Sequence, residues 1–217
     1  MSPCLAVVAK QPERGKVKTR IASTLGDDRA AEMYRCALLD TLALALSIGG
    51  VTHALSFAPP TDDARRYFED IAPAFLLIPQ TGATLGERMS GTLARLLSRF
   101  SPVVLIGSDG PDLPAEFVIR AFDILRGGID VVLGPANDGG YYLIGMRSMQ
   151  PVLFERIDWS TAGVAQQTRE RASDAALNLV DLPYWHDLDN VEDLQELVDP
   201  GAPLTRAFVA ALNAKRT

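Results

Sequence analysis

Five cations, Lys10, Arg14, Lys16, Lys18 and Arg20, crowd into the segment "KQPERGKVKTR", directly after the apolar run Leu5 to Ala9. Pro12 and Gly15 make the segment turn-rich, and in such turns backbone N–H groups approach an anion closely. A charge-assisted hydrogen bond to phosphate contributes about 1.5–3 kcal/mol. Lys10, Gly15, Lys16, Lys18 and Arg20 are therefore candidate phosphate-binding residues, with Lys18 a catalytic candidate as well. The loop lacks G-x-x-x-x-G-K-[ST], so it is no P-loop, and it lacks G-x-G-x-x-G, so no nicotinamide cofactor is expected.

Carboxylates supply the complementary chemistry. Asp109 ends a fully apolar run in "LIGSDGPDL", and a carboxylate there is costly unless something pairs with it. Magnesium or manganese fits, because such ions are held by one or two carboxylates plus substrate phosphates. Ser108 joins the nucleotide-binding candidates. In "HDLDNVEDL", Asp189 and Glu192 have the spacing of a capping box, which explains Asp189 structurally and leaves Asp187 as the second metal candidate. Asp112 reads as a cap for the helix begun at Pro114, and His186 as a structural histidine. "GPANDGGYYLIG" reads as a hairpin. Asp138 is its candidate general base, and Gly139 and Gly140 offer bare backbone to an acceptor. Ser160 and Thr161, ahead of a helix, join the acceptor set. Gly82 and Arg88, beside another helix start, join the nucleotide set. Trp159 and Trp185 read as packing residues.

The elements that must position these residues alternate along the chain. Strand-like runs cover Leu5 to Ala9, Val51 to Ala58, Phe75 to Pro79, Pro102 to Ser108, Asp130 to Pro135, Tyr141 to Met146 and Leu177 to Trp185. Helical stretches begin at Asp27, Thr61, Thr84 and Pro114, follow Ser160, and close the chain from Asn190 and Leu204. This alternation predicts one α/β domain over residues 1–217, with a mostly parallel sheet of about seven strands between helices. Ligands of such sheets sit beyond the carboxyl ends of the strands. There the sequence puts the cation loop, "SDGPDL", "GPANDGG" and "HDLD", which are expected to share one crevice.

Composition narrows the class. A formal charge of −6 with 47% hydrophobic residues describes a globular chain and argues against a general nucleic-acid binder. Cys4 and Cys36 form no motif, and two histidines rule out a multi-histidine zinc site. No apolar run approaches a membrane span, and no cationic segment precedes the apolar run near Met1. A cytoplasmic setting is expected, with the chain a monomer or dimer.

The ordered set "AKQPERGKVKTRI", "QTGATLGERM", "LIGSDGPDL", "GPANDGGYYLIG", "WST" and "HDLDNVEDL" resembles a bacterial family of unknown function described as glycosyltransferase-like, within the GT-A superfamily. More distantly it is similar to 2-phospholactate guanylyltransferase and molybdenum cofactor guanylyltransferase. The resemblance implies a Rossmann-like α/β/α sandwich of GT-A type. It implies phosphates on Lys10, Lys16, Lys18 and Arg20, and a divalent ion on Asp109 and Asp187. One departure is that "SDGPD" stands where many GT-A enzymes carry D-x-D, which leans toward two distant acids sharing the ion. The expected activity is metal-dependent transfer from a nucleotide-diphospho-sugar to a small acceptor. Nucleotidyl transfer from a triphosphate to a small phosphate or carboxylate acceptor, with pyrophosphate release, is the alternative. A non-catalytic nucleotide binder is a third reading, against which the two acids weigh.

Overall fold

In the computed structural model, which describes residues 1–195, 197 and 201–214, the first strand already shows how the core divides. Along β1 (Cys4–Lys10), Leu5, Val7 and Ala9 enter one hydrophobic layer, and Cys4 and Ala6 enter the other. Successive strand residues point to opposite faces, so a strand covered on both sides must be apolar throughout. The same division holds for β4 (Val103–Gly107): Val104 and Ile106 face one layer, Val103 and Leu105 the other.

The remaining strands are β2 (Thr52–Ala58), β3 (Leu76–Pro79), β5 (Val131–Pro135), β6 (Tyr141–Met146) and β7 (Leu179–Asp181). The sheet has seven strands in the order β3-β2-β1-β4-β6-β5-β7. Among the described strands, only β6 runs antiparallel to its neighbours, β4 and β5. The carboxyl ends of β1, β4, β5 and β7 therefore lie along one edge, together with the start of β6. This is the expected mostly parallel α/β sheet.

Helices cover both faces. One layer packs α2 (Asp27–Ser47), α3 (Asp62–Ile71) and α5 (Ala115–Arg126) on the sheet. The other packs α4 (Leu85–Leu97) and α6 (Val164–Asp174). The starts of α3 and α4 follow from local chemistry. Thr61 accepts from the Ala64 N–H, and Thr84 with Glu87 forms a capping box, each satisfying N–H groups that the first turn leaves free. A third cluster joins Ile21 of α1 (Thr19–Leu25), Ala30 and Met33 of α2, and Leu188 and Leu194; Phe208 of α7 (Pro203–Ala214) packs against it.

Three expectations need correction. The cation segment is not all loop, because α1 begins at Thr19. The seventh strand is shorter than Leu177 to Trp185: Pro183 has no N–H to give a ladder, and only an isolated bridge pairs Ala136 with Trp185. The helix expected from Asn190 is, within the described residues, a 3-10 turn at Asp193–Gln195.

Candidate active site

A cavity of about 750 Å³ opens at the carboxyl edge of the sheet, where residues of the β1 loop, the β4 end, the β5–β6 hairpin and the segment after β7 meet. Lys18 is one of its lining residues. It precedes α1 with φ at 47°, a left-handed conformation unusual for a lysine,. Its side chain is only 6% exposed, and its Nζ stands 2.7 Å from Asp109 Oδ1 and 3.6 Å from Asp189 Oδ1. The same ammonium donates to the Leu188 carbonyl at 2.7 Å. Burial alone would lower the Lys18 pKa, but Asp109 first, then Asp189 and Asp187, override it and raise it. Lys18 is therefore a cation at neutral pH.

Asp187 shows the opposite imbalance. Its pKa is pushed up to about 7 by burial and then by the Asp109 charge; Lys18 partly offsets this, while Asp138 and Asp189 add to it. Asp109, Asp138, Asp187 and Asp189 all line the cavity, so this corner holds more negative charge than Lys18 neutralises.

Two ties hold the acidic segments together. The Leu188 N–H donates to the Asp109 carbonyl at 2.8 Å. Asp112, fully buried, lies 3.0 Å from His186 Nε2 and 3.4 Å from the Trp185 indole nitrogen. Leu188 is buried in the third cluster between Asp187 and Asp189, so apolar packing fixes the loop on which both carboxylates stand.

The expected phosphate residues separate into groups. Lys10, Lys18, Arg20, Arg88 and Ser108 line the cavity. The Ser108 hydroxyl is 2.8 Å from the Tyr34 hydroxyl, which also accepts the Lys10 N–H at 3.0 Å. Lys16 points outward and pairs with Glu13 at 2.6 Å. With Gly82 it lines an adjoining groove of about 570 Å³ that Lys10 and Arg88 share. Gly15 lines neither space; its φ of +72° makes a turn beside the Asp27 carboxylate. Of the expected acceptor residues, Gly140, Ser160 and Thr161 line the cavity beside Asp138. Gly139 instead packs on backbone: a Cβ there would stand 2.0 Å from the Ala162 carbonyl oxygen. Neither Ser160 nor Thr161 caps α6, whose N-cap is Gly163.

Among the cavity residues that sequence reasoning did not place there are Asp189, Tyr34, Gln80 and Trp159. Asp189 is not a capping-box residue; it bonds Arg20 Nη1 at 3.2 Å, while Asp193 and Asn190 make the local cap. Tyr34 reads as an ordinary helix residue. Gln80 is buried and donates to the carbonyls of Ala9 and Ser56 at 3.2 and 2.8 Å; its place at the end of a strand was the only signal.

The sheet order and the cavity at its carboxyl edge define a Rossmann-like fold of the nucleotide-diphospho-sugar transferase kind. Residues 41–161 match a family described as uncharacterized proteins conserved in bacteria (DUF2064), and the chain belongs to it. A candidate nucleotide-diphospho-sugar transferase from Desulfovibrio desulfuricans G20 is 36% identical; the match covers 99% of this chain and 98% of that one, with a TM-score of 0.89. CMP:2-keto-3-deoxy-manno-octonic acid synthetase complexed with CTP is 11% identical over the whole of both chains, with a TM-score of 0.54. Rv0371c of Mycobacterium tuberculosis H37Rv, complexed with manganese, is 13% identical over 91% of this chain and 98% of that one, with a TM-score of 0.57. The last two share the fold. No curated protein matches the sequence.

Proposed function

We propose that this protein is a divalent-metal-dependent transferase that moves the sugar of a nucleotide-diphospho-sugar to a small acceptor. The observation that carries this reading is Lys18, held 2.7 Å from Asp109 inside a cavity that also brings Asp187 and Asp189 to the same ammonium. Lys10, Lys18, Arg20 and Arg88 bind the diphosphate. Asp109 and Asp187 fit magnesium or manganese: both line the cavity beside Lys18, and two carboxylates plus phosphate oxygens suit such an ion. When bound, the ion supplies charge neutralisation for the leaving diphosphate. The acceptor hydroxyl oxygen bonds to the anomeric carbon as the bond from that carbon to the phosphate oxygen breaks. The nucleoside diphosphate leaves with the electron pair, and the hydroxyl proton passes to the Asp138 carboxylate. Positioning and electrostatics do most of the work.

A second reading draws on the number of cations. Four at one edge also suit a triphosphate, and the synthetase that shares the fold is complexed with CTP. An acceptor oxygen would then attack the α-phosphorus. Incubation with mixed nucleotide-sugars and nucleoside triphosphates separates the two. Sugar transfer releases a nucleoside diphosphate; pyrophosphate release would overturn it in favour of nucleotidyl transfer. A cytoplasmic setting belongs to the same proposal; no described helix is long and apolar enough to cross a membrane.

A further inference from the structure

Away from Lys18 the cavity changes character. Leu85 and Met89 of α4, Tyr141 of β6 and Trp159 form one wall. Trp159 stacks on Phe154, with centroids 6.4 Å apart and planes 9° apart. Gly86 leaves the indole its place, since a Cβ there would stand 2.4 Å from the ring nitrogen. The Tyr141 hydroxyl lies 3.9 Å from Met89 Sδ. Beside this wall stand Asp138, Ser160 and Thr161.

The region is rigidly built. The Ala165 N–H donates to the Gly139 carbonyl at 2.9 Å. The Asp158 N–H donates to Gln167 Oε1 at 2.7 Å, and Gln167 Nε2 returns a bond to Asp158 Oδ2 at 3.1 Å. Ser160 holds φ at 65°. Backbone in this region is disfavoured for a residue with a side chain and persists where the surroundings impose it.

Among the described residues, every lysine and arginine lining the cavity comes from the β1 loop, α1 or α4; the hairpin and the Trp159–Val164 segment bring one charge, Asp138. From the hairpin and the Trp159–Val164 segment a phosphate or carboxylate would meet only Asp138, with further carboxylates behind it; the α4 side brings Arg88 beside Met89, a cation that the transferase reading gives to the diphosphate, and like charges at close range repel strongly where water is scarce,. A ring face would instead lie on the indole, with hydroxyls toward Ser160, Thr161 and Asp138.

We propose that this end of the cavity takes an uncharged, hydroxyl-bearing acceptor with a ring or other apolar face, and discriminates against phosphate monoesters and carboxylates. This rests on the transferase reading and names its acceptor class. The test is saturation-transfer NMR and calorimetry on the full chain with magnesium and the nucleoside diphosphate that stabilises it most. The probes are phenyl β-D-glucoside and glucose 6-phosphate. The glucoside is expected to bind at least tenfold more tightly, with saturation reaching its phenyl protons. Trp159→Ala should weaken it about tenfold and Trp159→Phe should retain it, with nucleotide binding unchanged in both. Asp138→Asn should narrow the gap between the probes by admitting the phosphate. Tighter binding of glucose 6-phosphate, or of neither probe, while nucleotide still binds would overturn the acceptor class alone. Failure of every nucleotide to bind would overturn the transferase reading and the acceptor class with it.

Discussion

Lys18 and Asp187 share one acidic corner with opposite consequences: the carboxylates stabilise the buried ammonium, and burial with the Asp109 charge disfavours the Asp187 carboxylate. The Lys18 ammonium is buried with three carboxylates around it. Lys18→Ala removes this partner and is expected to lower stability by about 1–2 kcal/mol, less than a fully buried pair would lose because Asp109 is half exposed. Urea denaturation of both proteins checks this, and nucleotide binding should fall with it. For Asp187 the folded pKa of about 7 stands above an ordinary value of 3.8. The folded protein thus holds this proton longer than the unfolded chain does. The corresponding stability is fully present below about pH 4 and is lost as pH rises through 7, by at most about 4 kcal/mol. Asp187→Asn abolishes the titration. Without metal it should match the parent near pH 4 and exceed it in urea midpoint at pH 8; equal midpoints at pH 8 would refute the strain assigned to this carboxylate.

Elements decide which polar residues reach the cavity. In sequence Lys16 and Lys18 look equivalent; the short helix α1 turns Lys18 inward and leaves Lys16 with Glu13. Asp109 was legible because it ends an unbroken apolar strand, and Asp187 because no local partner explained it. Asp189 was hidden by Glu192 three residues on, a local pattern that tertiary contact with Arg20 overrides. Strand order and the antiparallel β6 were not legible, since pairing is set by contacts between distant segments; the hairpin turn joining β5 and β6 was. Gly139 belongs to that turn, with φ at +90° and the Ala162 carbonyl against its α-carbon. Gly139→Ala should cost about 3 kcal/mol or more, read as a lower urea midpoint, and should loosen the Trp159 wall. Between α2 and α7, Asp40 accepts from the N–H groups of Leu204 and Thr205 and from the Thr205 hydroxyl, at 3.2, 2.8 and 2.7 Å. Asp40→Ala leaves these groups unpaired and should destabilise the α7 attachment by about 1–3 kcal/mol. Faster hydrogen exchange in α7 than in β1 or β4 would show it.

Across the whole molecule, two core layers support a sheet whose carboxyl edge gathers charges from distant segments, Lys18 meeting the Leu188 carbonyl 170 positions on and the Asp189 carboxylate beside it. The third cluster, linking α1, α2 and α7 to Leu188, braces the cation segment against the acidic one. A ligand that bridges both should therefore stabilise the entire fold by mass action. Calorimetric titration with nucleoside diphosphates, with and without magnesium, tests this most directly. The expected result is binding that strengthens at least tenfold with magnesium, and a magnesium effect that Asp109→Asn abolishes while its far-ultraviolet spectrum stays that of the parent. Nucleotide binding indifferent to magnesium, or an undiminished magnesium effect in Asp109→Asn, would contradict the shared metal and phosphate site.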